Sequence, residues 1–206
     1  MTRKPIPANK THFAKDYALT QAATAGDNRA LRRLADKLLD QVRATSYYLT
    51  GGDPEFEDYA QLAIIEIMHS AGSYRGESPL KAWAKQITVR TVIRNLKQKR
   101  RRSQFVRTQL DYEKEVGHFA SAEDEMQKNV VSNRLASHLG TLKPKIRVAI
   151  TLKAILGYTV HEIVEITGTN PHTVDYRLRK GREQLRKKIL QDPLLKEIVD
   201  KQGLNK

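Results

Sequence analysis

GSYRGESPLKAWAKQITVRTVIRNLKQKRRR, from Gly72 to Arg102, is the stretch on which the fold turns. Its opening residues read as a flexible loop that carries an aromatic and a basic side chain, Tyr74 and Arg75. Ser78 is then placed to cap a helix, and Pro79 suits the first helical position, where a missing N–H is no loss. Read as one helix, Leu80 to Arg102 puts Trp83, Arg90, Arg94, Lys97 and Arg101 on a single face. Val89, Ile93 and Leu96 fall on the opposite face. The spacing predicts a basic stripe looking outward and a core face looking in. An aromatic at one end of a cationic track offers a nucleic-acid strand a stacking surface and partners for its phosphates. A solvated helix whose Lys and Arg only confer solubility shows the same pattern. The rest of the chain has to decide.

The 206 residues hold 37 Lys and Arg against 23 Asp and Glu, a net charge of +14 with a sequence pI near 10.0. Such an excess points to a polyanion, either nucleic acid or an anionic membrane surface. Membrane-surface binding needs an amphipathic helix with bulky apolar residues free to face lipid, and no free-standing one is found. No apolar run reaches membrane-spanning length, and Met1 to Lys15 is basic and polar without an apolar h-region. A soluble, cytoplasmic protein with no membrane insertion is therefore expected. The lack of cysteine excludes disulfides and Cys-based zinc sites. His12, His69, His118, His138, His161 and His172 are scattered, and no H-E-x-x-H, glycine-rich phosphate loop or nucleophile motif occurs. No catalytic residue, metal or cofactor is expected.

Upstream of the central stretch, Pro5 and Pro7 mark residues 1–15 as a loose basic tail, and a short helix is expected from Tyr17 to Ala25. After Gly26 and Asp27, the residues Ala30, Leu31, Leu34, Ala35, Leu38 and Val42 form the apolar stripe of a stronger helix, which Gly51 and Gly52 stop. Asp53 is expected to cap the next helix, with Pro54 at its start. Phe56, Tyr59, Ala60, Ala63, Ile64 and Ile67 supply its buried face. Glu55, Glu57 and Asp58 crowd its first turn, where the helix dipole favours carboxylates. No segment alternates with period two for long, so the fold class is all-α.

Downstream, Ser103 to Asn129 is poor in apolar residues and carries Asp111, Glu113, Glu115, Glu123, Asp124 and Glu125. It reads as an acidic linker between two small helical domains. In the second domain, residues 130–190, Val131, Leu135 and Leu139 belong to a helix that ends near Gly140. Pro144 opens another, with Ile146, Val148, Ile150, Leu152 and Ile155 as apolar surface up to Gly157. Thr159 and Glu162 spell a capping box, Ile163 and Ile166 face inward, and Gly168 closes this short helix. Asn170 caps the next, Pro171 takes its first position, and Val174, Leu178, Leu185 and Ile189 hold it to the core. Two helices so closely coupled, with Gly in the turn, describe a helix-turn-helix. In that motif the N-terminal residues of the second helix meet base edges in the major groove. The outward face here carries His172, Asp175, Tyr176, Arg179 and Lys180, and Arg182, Arg186 and Lys187 continue the positive charge. Residues 191–206 form a tail with an amphipathic pattern in Leu194, Leu195, Ile198 and Val199.

Four words in order, AGDNRALRRLADKLL, EFEDYAQLAIIEIM, SYRGESPLKAWAKQITVRTVIRNLKQKRRR and LGTLKPKIRVAITLKAILGYTVHEIVEITGTNPHTVDYRLRKGREQLRKKI, resemble a bacterial RNA polymerase sigma factor. The resemblance is to the extracytoplasmic-function (ECF) group of the sigma-70 family and runs from Tyr17 to Ile189. It implies a sigma-2-like bundle over residues 16–102 and a sigma-4-like helix-turn-helix domain over 130–190. The implied function is binding of core RNA polymerase, through its β′ clamp helices and β flap, together with recognition and melting of promoter DNA in transcription initiation. Members are often held by an anti-sigma factor. A conventional helix-turn-helix regulator, using only Leu135 to Leu190 on duplex DNA, is the alternative.

Laid on single positions, the family's acidic D-L-x-Q-E segment corresponds to Asp58, Tyr59, Gln61 and Leu62. Tyr59 replaces the usual Leu and Leu62 the usual Glu. Glu57, Ile65 and Glu66 complete the implied polymerase-binding set. The loop from Ser73 to Ser78 matches the one that captures an unstacked base of the −10 element, which implies roles for Tyr74, Arg75, Glu77 and Ser78. Trp83, Gln86, Arg90, Arg94 and Lys97 are implied to follow the same strand. The −35 element falls to His172, Thr173, Asp175, Tyr176, Arg177, Arg179 and Lys180. Asp175 stands where the family commonly has a basic residue, and a carboxylate there can accept from a cytosine N4 amine. The acidic linker is implied to thread through the polymerase toward the active site and the RNA exit path.

Overall fold

The structure, a computed structural model, describes residues 13–106 and 126–201, with side chains defined over 13–102 and 130–201. The acidic run Asp111 to Glu125, on which the linker reading rests, lies outside the described residues. Among the described residues every regular element is helical. The order is α1 (Ala14–Thr24), α2 (Asn28–Thr50), α3 (Phe56–Ser70) with a 3₁₀ turn over Ala71–Ser73, and α4 (Leu80–Val106). Then come α5 (Met126–Gly140), α6 (Pro144–Ile150) running on as one π turn over Thr151–Ile155, α7 (Val160–Thr167), α8 (Pro171–Gln191) and α9 (Pro193–Lys201). The described chain falls into two compact units, one of residues 13–46 and 55–99, the other of 47–54, 100–106 and 126–201.

In the first unit, the α2 stripe of Ala30, Leu34, Leu38 and Val42 meets Ala60, Ala63 and Ile67 of α3 and Leu80 and Ala84 of α4. Leu34, Leu38, Val42 and Ile67 are fully buried, and each such side chain contributes about 1.5–3 kcal/mol of apolar transfer. Asp27 caps α2, its Oδ1 accepting from the N–H groups of Arg29 (2.8 Å) and Ala30 (3.2 Å). The expected cap of α3 is displaced. Gly51 and Gly52 both take φ of +75, so residues 53–55 are consumed in redirecting the chain. The helix opens past Pro54, where the Glu55 carbonyl accepts from Asp58 (3.1 Å) and Tyr59 (3.3 Å). In α4 the first helical bonds run to the Pro79 carbonyl, from Ala82 at 2.9 Å and Trp83 at 3.1 Å. This helix continues to Val106 and α5 begins at Met126, so both ends of the expected linker belong to helices.

In the second unit α5, α6, α7 and α9 all pack on α8. The capping box of α7 forms as its spelling predicts. Thr159 Oγ1 accepts from the Glu162 N–H at 3.2 Å, and Glu162 Oε2 accepts from the Thr159 N–H at 2.7 Å. Gly168 ends the helix in the left-handed region at φ +64, and Asn170 Oδ1 caps α8 by accepting from the Thr173 N–H at 2.8 Å. The segment expected to be a tail is a docked helix through Lys201. Asp192 is buried and caps it, with Oδ1 accepting from Leu194 (3.1 Å) and Leu195 (3.3 Å). The same carboxylate meets Arg134 Nη1 at 3.2 Å and His138 Nε2 at 3.0 Å on α5. Burial opposes its charge, yet bonds from His138, the Leu195 N–H and Arg134 hold its pKa below the usual carboxylate value.

Candidate nucleic-acid interface

On α4 the outward stripe forms as the periodicity requires. Gln86, Arg90, Arg94, Lys97 and Arg101 are exposed, while Ala84, Thr88, Val89, Val92 and Ile93 are buried. The core face therefore fixes the rotation of the helix and presents its cations along one side. Trp83 is different. It is half-buried and packs on the first unit's core, its ring 5.3 Å from that of Tyr74.

Tyr74 corrects the sequence reading. Only 2% of it is exposed, so its ring offers no face on which a base could stack. Its hydroxyl donates to the Ser78 carbonyl at 2.7 Å and closes the loop on itself, and burial raises its pKa. Gly76, at φ +68, makes the turn possible. What this loop presents outward is Arg75 and Glu77, 3.9 Å apart, beside a half-buried Ser78. The aromatic pair thus supports the loop from beneath.

The exposed face of α3 has the opposite chemistry. Asp58, Gln61, Leu62, Ile65 and His69 share it at helical spacing. Leu62 at 43% and Ile65 at 51% exposure are large apolar side chains left without cover on this face. Tyr59 does not join them: at 6% exposure it belongs to the buried face with Ala60, Ala63 and Ile67. Glu57 is tied to Arg43, and Glu66 accepts from Arg94 at 3.3 Å. An acidic and apolar surface repels phosphates and suits a protein partner.

At the start of α8, His172, Asp175, Tyr176 and Arg179 are exposed on one side, and Val174, Leu178 and Gly181 are buried on the other. Tyr176 is 54% exposed, so its ring stands outward with them as the spacing predicts. Thr173 is half-buried, with its N–H committed to the Asn170 cap. Two predicted readers are otherwise engaged. Arg177 turns back to donate to Thr169 Oγ1 at 3.2 Å, bracing the turn between α7 and α8. Lys180 pairs with Glu183 at 3.2 Å, and Glu183 also holds Lys187 at 3.2 Å, which lowers the carboxyl's pKa.

Comparison with known proteins bears on both units. Residues 34–102 match sigma-70 region 2 and residues 132–185 match sigma-70 region 4, together more than half of the chain. The ECF RNA polymerase sigma-E factor of Haemophilus influenzae is 26% identical, over 84% of this chain and 95% of that protein. SigW of Bacillus subtilis is 26% identical, over 80% of this chain and 91% of its own. SigE of Mycolicibacterium smegmatis is 26% identical over 81% of this chain, which spans 62% of that longer protein.

The chain belongs to the ECF group of the sigma-70 family.

The fold of this sigma factor is also that of RpoE from Bartonella quintana, solved with the anti-sigma factor NepR. The TM-score is 0.55 at 22% identity, covering 78% of this chain and 97% of that one. Two features of the sigma factor carried no charge or motif signal. Gly181 lies where α8 crosses α6 so closely that an added Cβ would stand 2.3 Å from Ile150 Cγ1. A glycine inside a helical run was its only trace in the sequence. The Arg134–His138–Asp192 cluster joins residues far apart in sequence, which no local pattern reports.

Proposed function

We propose that this sigma factor divides its work among three helix faces. The outward side of α3, with Asp58, Gln61, Leu62 and Ile65, takes the β′ clamp helices of core RNA polymerase. The loop residues Arg75, Glu77 and Ser78, with Gln86, Arg90, Arg94 and Lys97 of α4, follow the unpaired strand of the −10 element. His172, Asp175, Tyr176 and Arg179 of α8 read the −35 duplex. The observation that carries this reading is the segregation of surface chemistry: α3 shows acid and apolar side chains, whereas α4 and α8 show cations. Extruding a base costs a few kcal/mol. Because Tyr74 is buried, recovery of that cost falls to the polar loop groups and the α4 cations instead of an exposed ring.

The subunit makes no bond itself; the polymerase supplies the chemistry, and the work takes place in the cytoplasm. Among the described residues no helix is long and apolar enough to cross a membrane. An anti-sigma factor is a further partner class, and its natural target is the polymerase-binding surface. Pull-down of core polymerase followed by run-off transcription tests the function. A promoter-dependent transcript is expected with core enzyme and this chain together. A chain that binds operator duplexes tightly alone, and yields no such transcript, is a conventional regulator.

A further inference from the structure

Between Pro171 and Lys180 the charged side chains of α8 are unequally available. Arg177 is turned back on Thr169 and Lys180 is paired with Glu183. Arg179 is left exposed, with no ion pair among the described residues. Asp175 is in the same state one turn earlier on the same face, exposed and without an ion pair or side-chain hydrogen bond among the described residues. The other carboxylate of this helix, Glu183, is held by Lys180 and Lys187. A bare carboxylate on a face that meets duplex DNA is repelled by the phosphates. It is tolerated where it meets a donor, and in the major groove the bases offer donors only as the exocyclic amines of cytosine and adenine. Cytosine presents its N4 amine alone. Adenine adds N7, an acceptor that a carboxylate cannot satisfy.

We infer that Asp175 and Arg179 together set the sequence of the duplex this chain prefers, Asp175 selecting a cytosine and Arg179 a guanine one to two base pairs away. The inference rests on the proposed assignment of α8 to the −35 duplex. Four residues advance a helix by about 6 Å, against about 3.4 Å for one base-pair step, which gives the separation. The guanidinium can donate to guanine O6 and N7 at once, while the carboxylate accepts a single bond from the cytosine amine. The guanine contact is therefore the stronger, and its replacement should weaken recognition about 5- to 100-fold. Replacing the cytosine should cost about fivefold, the lower end for a base contact.

The test presents the full chain, joined to core RNA polymerase, with a library of promoter duplexes randomised upstream of the −10 element. Bound duplexes are recovered and sequenced. The parent is expected to enrich a cytosine and a guanine one to two base pairs apart. Asp175→Asn should exchange the cytosine for an adenine and keep the guanine, because an amide matches adenine N6 and N7 together. Asp175→Ala should leave that one position without preference, and Arg179→Ala should lose the guanine while keeping the cytosine. Since each variant is read by which bases it selects, and one preference persists in each, a misfolded variant is not mistaken for a relaxed one. A parent motif without the cytosine, or a cytosine that survives in both Asp175 variants, overturns the inference while leaving α8 as the duplex reader. Absence of any enriched upstream motif with the parent would instead remove the assignment of α8 to duplex, and the base preferences with it.

Discussion

Tyr74 donates its hydroxyl to the Ser78 carbonyl inside a loop whose backbone is already set by Gly76 and by the start of α4. Tyr74→Phe keeps the ring and its packing on Trp83 but leaves that carbonyl without this donor. A loss of about 0.5–1.5 kcal/mol is expected, seen as a lower urea midpoint at unchanged m-value. Sequence pattern could not place this ring, because Ser-Tyr-Arg-Gly reads as loop and loops run on the surface. Burial here comes from tertiary packing on Trp83, not from any local period. Gly181 teaches the same lesson with the opposite sign. At an open helix position Gly→Ala stabilises by up to about 1 kcal/mol. Here a methyl would stand 2.3 Å from Ile150 Cγ1 and 2.9 Å from Ile146 Cγ2, and both side chains are buried. Gly181→Ala should therefore cost about 1–3 kcal/mol in chemical unfolding, and a neutral result would mean that α6 and α8 can separate without loss.

At the scale of elements, legibility followed the caps that formed, whereas Asp53, read as a cap, did not open α3. Thr159 with Glu162, Asn170 with Thr173, and Asp27 with Arg29 and Ala30 each announce a helix start through a bond made within three residues, so the sequence states both partners. The α9 helix was visible only as an amphipathic run, because such a run says that one face will be buried without naming what covers it. The covering surface is α5 and α8, and Asp192 is the fastening. Removing its charge by Asp192→Asn weakens the N-cap together with the bonds to Arg134 and His138, for an expected loss of about 1–3 kcal/mol. The folded carboxyl is held below its ordinary value. Its stabilisation is therefore complete above the unfolded pKa of about 3.9 and fades as pH falls through the lower folded one. Thermal unfolding of parent and variant should differ near neutrality and converge in acid. A gap that stays constant to about pH 2 would show that the carboxylate charge plays no part.

For the whole molecule, a charge of +14 announces a polyanion but not how its recognition is shared between strand and duplex. The order of helical words supplied the family, and the periodicity of α4 and α8 supplied their outward residues. What the sequence left out was which of those side chains are already engaged, as Arg177 is with Thr169 and Lys180 with Glu183. The division of labour can be read from salt dependence. Arg101 and Arg102 are exposed at the end of the α4 track, and cations that meet phosphate position a strand without specifying its sequence. The double change Arg101→Gln with Arg102→Gln should weaken single-strand binding for every sequence alike. It should also flatten the plot of log affinity against log salt by about 0.7 for each phosphate no longer neutralised. Arg179→Ala, on the α8 face proposed to read duplex, should leave that single-strand slope unchanged. Its loss belongs to duplex recognition, about 1–3 kcal/mol of discrimination against a wrong base. The measurement is fluorescence anisotropy over a salt series, with one single strand and one duplex as probes. If both variants flatten the single-strand slope equally, α8 shares the strand track and the assignment of separate nucleic-acid forms to α4 and α8 fails.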